Sequence, residues 1–373
     1  MSFSMNLLRK ADWFTTKVPM ALGFYYLGLW ALGPPLPGRA MYTAAAMVLA
    51  YLCSGIFVRF YNDLFDMAAD ARAGKFNLAS KASPFWRVAA PLLATACIPL
   101  ILLAVGAPLY LYALMGVQHL LYLAYSTPPI RLKNRALGGV LADAAYGHAM
   151  PAAIGWAFAA FATQEAVFSE AHRALAPAIF ALQLLSGASN ILKHQIEDHD
   201  GDTAAGIRTL VVALGAGRAW KLGLLVLAPL ELAGVLVFLL YLAYIKQSAI
   251  PALLALLVLV HALLVYTSFR RKGKRESERL LLFQNEVFET WFPLSFLGLL
   301  ISRQAGYLIL LAGHLAIFFY ATFQRFYHYA AKAVPLGWWI REKAIIFYYH
   351  RLLKQYARLR GIPDNGKASK SEK

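Results

Sequence analysis

Asn62-Asp63-Leu64-Phe65-Asp66-Met67-Ala68-Ala69-Asp70-Ala71-Arg72-Ala73-Gly74 follows directly on a long apolar stretch. Its spacing returns, after another such stretch, as His194-Gln195-Ile196-Glu197-Asp198-His199-Asp200-Gly201-Asp202-Thr203-Ala204-Ala205-Gly206. On a helix, residues three, four and seven apart share one face, so Asp63, Asp66 and Asp70 converge, and Gln195, Asp198 and Asp202 do the same. Each copy predicts an oxygen-rich stripe at the end of an apolar helix, and two such stripes point to a chelated cation.

Working outward, hydrophobic residues make up 60% of the 373-residue chain and charged residues 15%. Many apolar runs reach the roughly 17 to 25 residues that cross a bilayer as a helix. The fold class is therefore all-α: a polytopic membrane helical bundle of nine to ten transmembrane helices, in two similar halves around a central cavity. Ten spans are expected, near residues 18–33, 41–58, 88–105, 107–125, 138–162, 174–192, 221–245, 249–268, 284–301 and 304–323. Arg9 and Lys10 precede the first span without a convincing cleavage site, so it reads as an uncleaved helix. Cys53 and Cys97 fall inside spans and read as core packing residues.

Lys and Arg fall mainly in alternate loops. One set holds Arg9, Lys10 and Lys17, the segment 59–87, Arg131, Lys133 and Arg135, the segment 193–221, the run 270–279 and the C-terminal tail. The opposite set offers Arg39, Arg173, Lys246 and Arg303. Short loops rich in Lys and Arg stay cytoplasmic, which puts both acidic motifs on the cytoplasmic side of a multi-pass protein, expected in the cell inner (plasma) membrane. The same asymmetry accounts for the net charge of +17, so no nucleic-acid partner is called for; a basic face attracts anionic lipid headgroups or a phosphorylated substrate.

Ionisable groups near hydrocarbon cost about 2.5 to 3.5 kcal/mol each on insertion scales, so clustered carboxylates need a compensating charge. Mg2+ suits them, since it takes one or two carboxylates with waters and substrate phosphates rather than a full protein cage. Two facing stripes would hold two Mg2+ ions bridged by a diphosphate, whose departure as a leaving group the metals would favour.

These motifs resemble the UbiA superfamily of intramembrane prenyltransferases, of the 4-hydroxybenzoate polyprenyltransferase kind, over roughly residues 10 to 300. The family's N-D-x-x-D-x-x-x-D motif is complete as Asn62, Asp63, Asp66 and Asp70. Its second motif, D-x-x-D-x-x-x-D, stands here as Gln195, Asp198 and Asp202, with Gln195 departing from the usual acid. The segment Tyr125-Ser126-Thr127-Pro128-Pro129-Ile130-Arg131-Leu132-Lys133 is also similar to the family's loop at that place. The resemblance implies that Asn62, Asp66, Asp198 and Asp202, with Asp70, hold the Mg2+ ions around a prenyl diphosphate. Asp63 would join Asp66, Asp198 and Asp202 in the catalytic group, with Asp63 and Asp70 in support. Lys17, Arg72, Lys75, Arg131, Lys133, Lys193 and Arg208 are the candidate diphosphate cations, with Tyr125 and Gln195 as further substrate-binding residues. Positive-inside topology alone would also place Lys and Arg there.

The activity implied is Mg2+-dependent transfer of a prenyl group from a prenyl diphosphate to a small lipophilic acceptor, aromatic or a quinone precursor, among membrane lipids. One alternative is a terpene cyclase of the same superfamily acting on the diphosphate alone. A transporter or binder of phosphorylated lipids is the other, although the two motifs lie in parallel rather than in the inverted relation many transporters use.

Asp143, Tyr146 and His148 along the fifth span, and Glu286 and Glu289 at the ninth, either orient the acceptor and take its proton or are hydrated near an interface. His119 and His314 read as packing histidines. The domain expected is 1–303, with 304–323 as an additional transmembrane helix. Residues 324–373 form a basic tail in which Trp338, Trp339 and Phe347 interleave with Arg341, Lys343 and Arg351 as in an interfacial helix.

Overall fold

The computed structural model describes residues 12–72, 74, 76–166, 174–204, 206–272 and 287–333. The chain divides into two compact units, residues 1–322 and 323–373. Glu286, Lys75, Arg173 and the aromatic tail beyond residue 333 lie outside the described residues.

Helices cover the ten apolar stretches: α1 (Asp12–Leu32), α2 (Pro37–Arg72), α4 (Pro84–Ala104), α5 (Leu109–Ser126), the pair α6 (Ala136–Ala144) and α7 (Met150–Thr163), α8 (Leu175–Glu197), the pair α11 (Ala216–Leu222) and α12 (Ala228–Lys246), α13 (Ala249–Lys272), α14 (Phe292–Arg303) and α15 (Leu308–Ala333). Short helices α3 (Leu78–Lys81), α9 (His199–Ala204) and α10 (Leu210–Leu214) lie between them. Five stretches are long and apolar enough to cross a bilayer by themselves: Pro37–Ala68, Pro84–Ala104, Leu175–Glu197, Ala216–Lys246 and Ala305–Tyr327. The chain is thus an integral membrane protein.

α1 plays another part. Every residue from Val18 to Leu32 is buried, as expected of a helix apolar on all sides. It packs closest along α7, where a Cβ on Gly155 would strike the Ala21 carbonyl oxygen and one on Gly28 would strike the Ala159 side chain. Lipid gives little hydrophobic drive between helices, so small residues that admit close backbones supply the attraction by packing.

Three turns of π-helix occur: Ala145–Ala149 between α6 and α7, Gly223–Leu227 between α11 and α12, and Val287–Trp291 directly before α14. Each ends two residues before a proline: Pro151, Pro229 and Pro293. A proline lacks an N–H and its ring crowds the carbonyl four residues earlier, which here is the middle residue of each π turn. The wider turn relieves that clash, and it re-aims the side chains it carries.

The basic residues at the far ends of the helices also have structural work. Arg39 Nε donates to Ala162 O at 2.8 Å and its Nη2 to Phe161 O at 3.1 Å, closing the end of α7. Lys246 Nζ reaches Ala31 O at 2.5 Å and Arg303 Nη1 reaches Trp30 O at 3.1 Å, closing the end of α1. Helix C-termini leave carbonyls unpaired and carry partial negative charge, so cations there are stabilising.

Cys53 packs against the core as read, whereas Cys97 departs from the reading as a core residue. Cys53 is half-buried and Cys97 exposed, both are free, and their side chains neighbour each other across α2 and α4.

Candidate active site

Both acidic motifs are built on the same local plan. Asn62 to Asp70 lie on the last turns of α2, and Gly74 beyond it has φ +63°. Three residues on, the Asn77 side chain caps α3 by accepting from Ser80 N at 2.9 Å. In the second copy Gly206 has φ +70°, and three residues on Thr209 caps α10 by accepting from Val212 N at 3.3 Å. The glycines are needed because a left-handed residue ends each helix and turns the chain back over the motif.

The copies differ inside the motif. α2 is unbroken through Asp70, whereas α8 stops at Glu197 with Asp198 as its cap, and α9 resumes at His199. The expectation of one continuous helical face over Gln195, Asp198 and Asp202 is corrected to that extent. Asp202 N still donates to Asp198 O at 2.8 Å, which keeps the pitch, and all three side chains reach one cavity.

The three carboxylates of the first motif divide their roles. Asp63 is buried and turned to its own backbone neighbourhood: its Oδ2 accepts from Leu78 N at 2.6 Å and lies 3.3 Å from Arg59 Nη2. Asp70 Oδ2 accepts from Asn77 Nδ2 at 2.8 Å. These two fasten the turn after Gly74 onto α2. Asp66 instead receives Lys133, whose Nζ lies 2.5 Å from Oδ1 and 2.6 Å from Oδ2, and Arg131 Nη2 at 3.1 Å. Asn62 Oδ1 accepts from Ser126 Oγ at 3.1 Å.

Counted from the two glycines, Gln195 occupies in the second copy the place of Asp63 in the first. The departure from the family pattern therefore falls at the position whose counterpart holds backbone. Gln195 is buried on the cavity wall with its Oε1 unpartnered.

Lys133 belongs to the loop after α5, and that loop is tied to the second motif. Ala136 N donates to Arg208 O at 3.0 Å, and Ala136 pairs with Thr209 as an isolated parallel bridge. Arg131 takes φ 35° and ψ 62°, a left-handed conformation rare outside glycine that costs on the order of 1 to 3 kcal/mol. The strain is held where its guanidinium meets Asp66. Burial pushes the Lys133 ammonium below its ordinary value despite the opposing pull of Asp66.

The motifs open on a cavity of about 560 Å³, a size typical of small-molecule sites. Asn62, Asp63, Asp66, Asp70, Gln195, Asp198 and Asp202 line it together with Lys17, Tyr125 and Lys133. Arg72 and Arg208 are exposed and absent from the wall, and Lys193 is buried beside it, paired with Glu197 at 2.9 Å. Arg131 reaches the site through Asp66 alone.

Deeper in the wall, Tyr146 Oη donates to Asp143 Oδ2 at 2.5 Å, and Lys17 Nζ lies 2.7 Å from His148 Nε2. The π turn carries this group: Met150 N bonds Ala145 O, so Tyr146 O takes a donor elsewhere, Gln118 Nε2 at 2.9 Å. Tyr122, Tyr125 and Tyr146 meet edge to face, with ring centroids 4.5 and 5.1 Å apart around Tyr146. Sequence reasoning missed Gln118, Asn190, His194 and Tyr122. Gln118 had a readable signal, a carboxamide beside His119 and one helical turn from Tyr122 in a mainly apolar span.

Among the described residues no group of three His, Cys, Asp or Glu side chains forms a ready metal cage. The donor set nevertheless fits Mg2+, which completes its shell with water and phosphate oxygens: Asp66, Asp198 and Asp202 present carboxylates and Asn62 an amide oxygen to one cavity.

A family model, the UbiA prenyltransferase family, matches residues 18–288. Among solved structures, a UbiA homolog from Archaeoglobus fulgidus bound to GPP and Mg2+ aligns with TM-score 0.55 at 19% identity, covering 80% of this chain and 99% of that one. The same homolog bound to DMAPP and Mg2+ gives 0.55 and 19%, covering 80% and 98%. The apo structure of a UbiA homolog from Aeropyrum pernix K1 gives 0.53 and 18%, covering 78% and 97%. At these identities the likeness is one of fold. No curated protein sequence matches the chain.

Proposed function

The chain belongs to the UbiA prenyltransferase family, and from that premise we propose that it moves a prenyl group from a prenyl diphosphate to a small aromatic or quinone-precursor acceptor inside the membrane. One observation carries the reading: two acidic motifs and the half-buried Lys133 share a single cavity with a tyrosine wall. Solved relatives bound to GPP or DMAPP with Mg2+ support the donor class.

Asn62, Asp66, Asp198 and Asp202 would hold the metal, with Asp63 and Asp70 keeping the first motif in place. Bound Mg2+, expected as two ions, would neutralise the diphosphate and favour its departure. Lys133 and Lys17 supply positive charge to the phosphate oxygens, and Arg131 orients Asp66. As the C1–O bond breaks, the allylic cation faces Tyr122, Tyr125 and Tyr146, whose ring faces tolerate positive charge while excluding water. The acceptor attacks C1, its proton passes to Asp143, held by Tyr146, and diphosphate leaves as the second product. The Lys and Arg pattern supports a cavity mouth on the cytoplasmic side, and the membrane this reading assigns is the plasma membrane.

The test is diphosphate release by purified, detergent-solubilised protein from geranyl, farnesyl and geranylgeranyl diphosphates, with and without Mg2+ and a panel of aromatic acceptors. Release that needs both Mg2+ and an acceptor is expected. Cyclised hydrocarbon from donor alone would replace the transferase reading with a cyclase. No release from any donor by folded protein would remove both.

A further inference from the structure

One face of α5 leads from the acidic motifs to a second opening. Ser126 Oγ donates to Asn62 Oδ1 at 3.1 Å, Tyr122 lines the cavity one turn deeper, and His119 stands three residues further along the same face. Helical rise sets His119 about 10 Å deeper than Ser126. There Ile98, Pro99 and Leu102 of α4 and Met115, Gly116 and His119 of α5 help to line a mainly apolar groove of about 240 Å³. Pro99 and Gly116 are exposed, so the groove opens on the surface that the bundle turns to lipid.

Rings fill the space between cavity and groove. Tyr61 and Tyr122 belong to the cavity wall. His119 meets Tyr122 edge to face with centroids 5.8 Å apart, and Phe57 of α2 lies 5.0 Å from His119 and 5.0 Å from Tyr61. These are the separations of packed aromatic pairs. Of the four rings, His119 is the one that lines the groove. Its Nδ1 lies 2.8 Å from the Met115 carbonyl oxygen of its own helix, and its Nε2 has no hydrogen-bond partner. The imidazole is thus held mainly by packing, as a plug between two spaces.

We propose that His119, backed by Phe57, is the end stop that sets how long a prenyl chain the cavity accepts, an inference that rests on the reading of the chain as a prenyl diphosphate enzyme. A donor whose diphosphate sits between the two acidic motifs runs inward along the α5 face, past Tyr122, and its far end meets the imidazole. Additional isoprene units have no room while that ring is in place. With the ring removed, they pass into the groove between α4 and α5.

The experiment compares kcat/KM for diphosphate release from geranyl, farnesyl and geranylgeranyl diphosphates, at saturating Mg2+ with the same aromatic acceptors, in full-length wild type, His119→Ala and the double variant H119A/G116F. A Cβ on Gly116 meets nothing within 4 Å, so a phenylalanine there fills the groove without disturbing the helices. His119→Ala should raise the geranylgeranyl-to-geranyl ratio about tenfold or more, the scale on which apolar pockets separate substrates by a methylene. The double variant should return the ratio toward the wild-type value. An unchanged or lowered ratio in an active His119→Ala overturns the end stop and leaves the prenyl diphosphate reading standing. A raised ratio that filling the groove does not reverse overturns the route into the groove. No release from any donor by folded wild type removes both readings. If His119→Ala does not fold, Phe57→Leu takes its place, since it withdraws the ring behind the imidazole, and the same ratio decides.

Discussion

Lys133 Nζ lies 2.5 and 2.6 Å from the two carboxylate oxygens of Asp66, joining a loop after α5 to the acidic motif at the end of α2. The same loop is bonded to the second motif through Ala136 and Arg208. One lysine thus stands where both motifs meet, placed to share its charge between a carboxylate and a bound phosphate.

Replacing Lys133 by Met should therefore weaken donor binding and slow diphosphate release together. A hydrogen bond to a charged group contributes about 1.5 to 3 kcal/mol, so kcat/KM for the prenyl diphosphate should fall roughly tenfold to a hundredfold or more. Steady-state kinetics at saturating Mg2+ read this out. Arg72→Met, at an exposed position off the cavity wall, should change the same constant little.

Asp66→Ala and Asp198→Ala should each abolish diphosphate release while leaving Tm close to wild type. Asp63→Asn should act the other way round, because its carboxylate holds Leu78 N and Arg59. Weakening a buried backbone partner costs on the order of 1 to 3 kcal/mol, so its main effect is a lower Tm. Measuring both quantities on all three variants tests the division between cavity and scaffold. Retained turnover in Asp66→Ala or Asp198→Ala would remove those residues from the metal site.

Gln195→Asp restores the family's usual acid on the cavity wall. The added negative charge should lower the Mg2+ concentration that gives half-maximal release. A half-saturation point that does not move would make Gln195 a packing residue.

Asp143→Asn keeps the partner of Tyr146 but removes the proton acceptor. Prenylated product should fall about 10² to 10⁴-fold, the usual contribution of a positioned base, with donor KM little changed. Product formation and donor binding, measured on one preparation, separate the two.

Gly155→Val should destabilise the bundle without touching the cavity, since any Cβ there meets the Ala21 carbonyl and α1 cannot move away from α7. Overpacking of this kind costs about 1 to 3 kcal/mol, read as a lower Tm in detergent.

The membrane class, the helical stretches and the two acidic motifs were legible in the sequence because they rest on local rules. Apolar length sets a span, and helical spacing sets a shared face. The three prolines were equally visible, but the π turns before them follow from how each helix relieves a carbonyl clash within a packed bundle. The basic residues were the least legible. A sequence places Lys17, Arg72, Lys133, Lys193 and Arg208 near one surface, and only the folded chain turns Lys133 onto Asp66, seats Lys17 beside His148 and commits Lys193 to Glu197.

What the sequence determined by itself is the composition of the site: which oxygens, in two copies, each closed by a glycine. What the tertiary structure decided is the direction of each side chain, with Asp66 toward the cavity cations and Asp63 toward backbone. The reason is physical. Helical periodicity is an interaction between near neighbours in the chain, whereas the partner that satisfies a buried charge comes from a helix or loop far along it, brought there by packing.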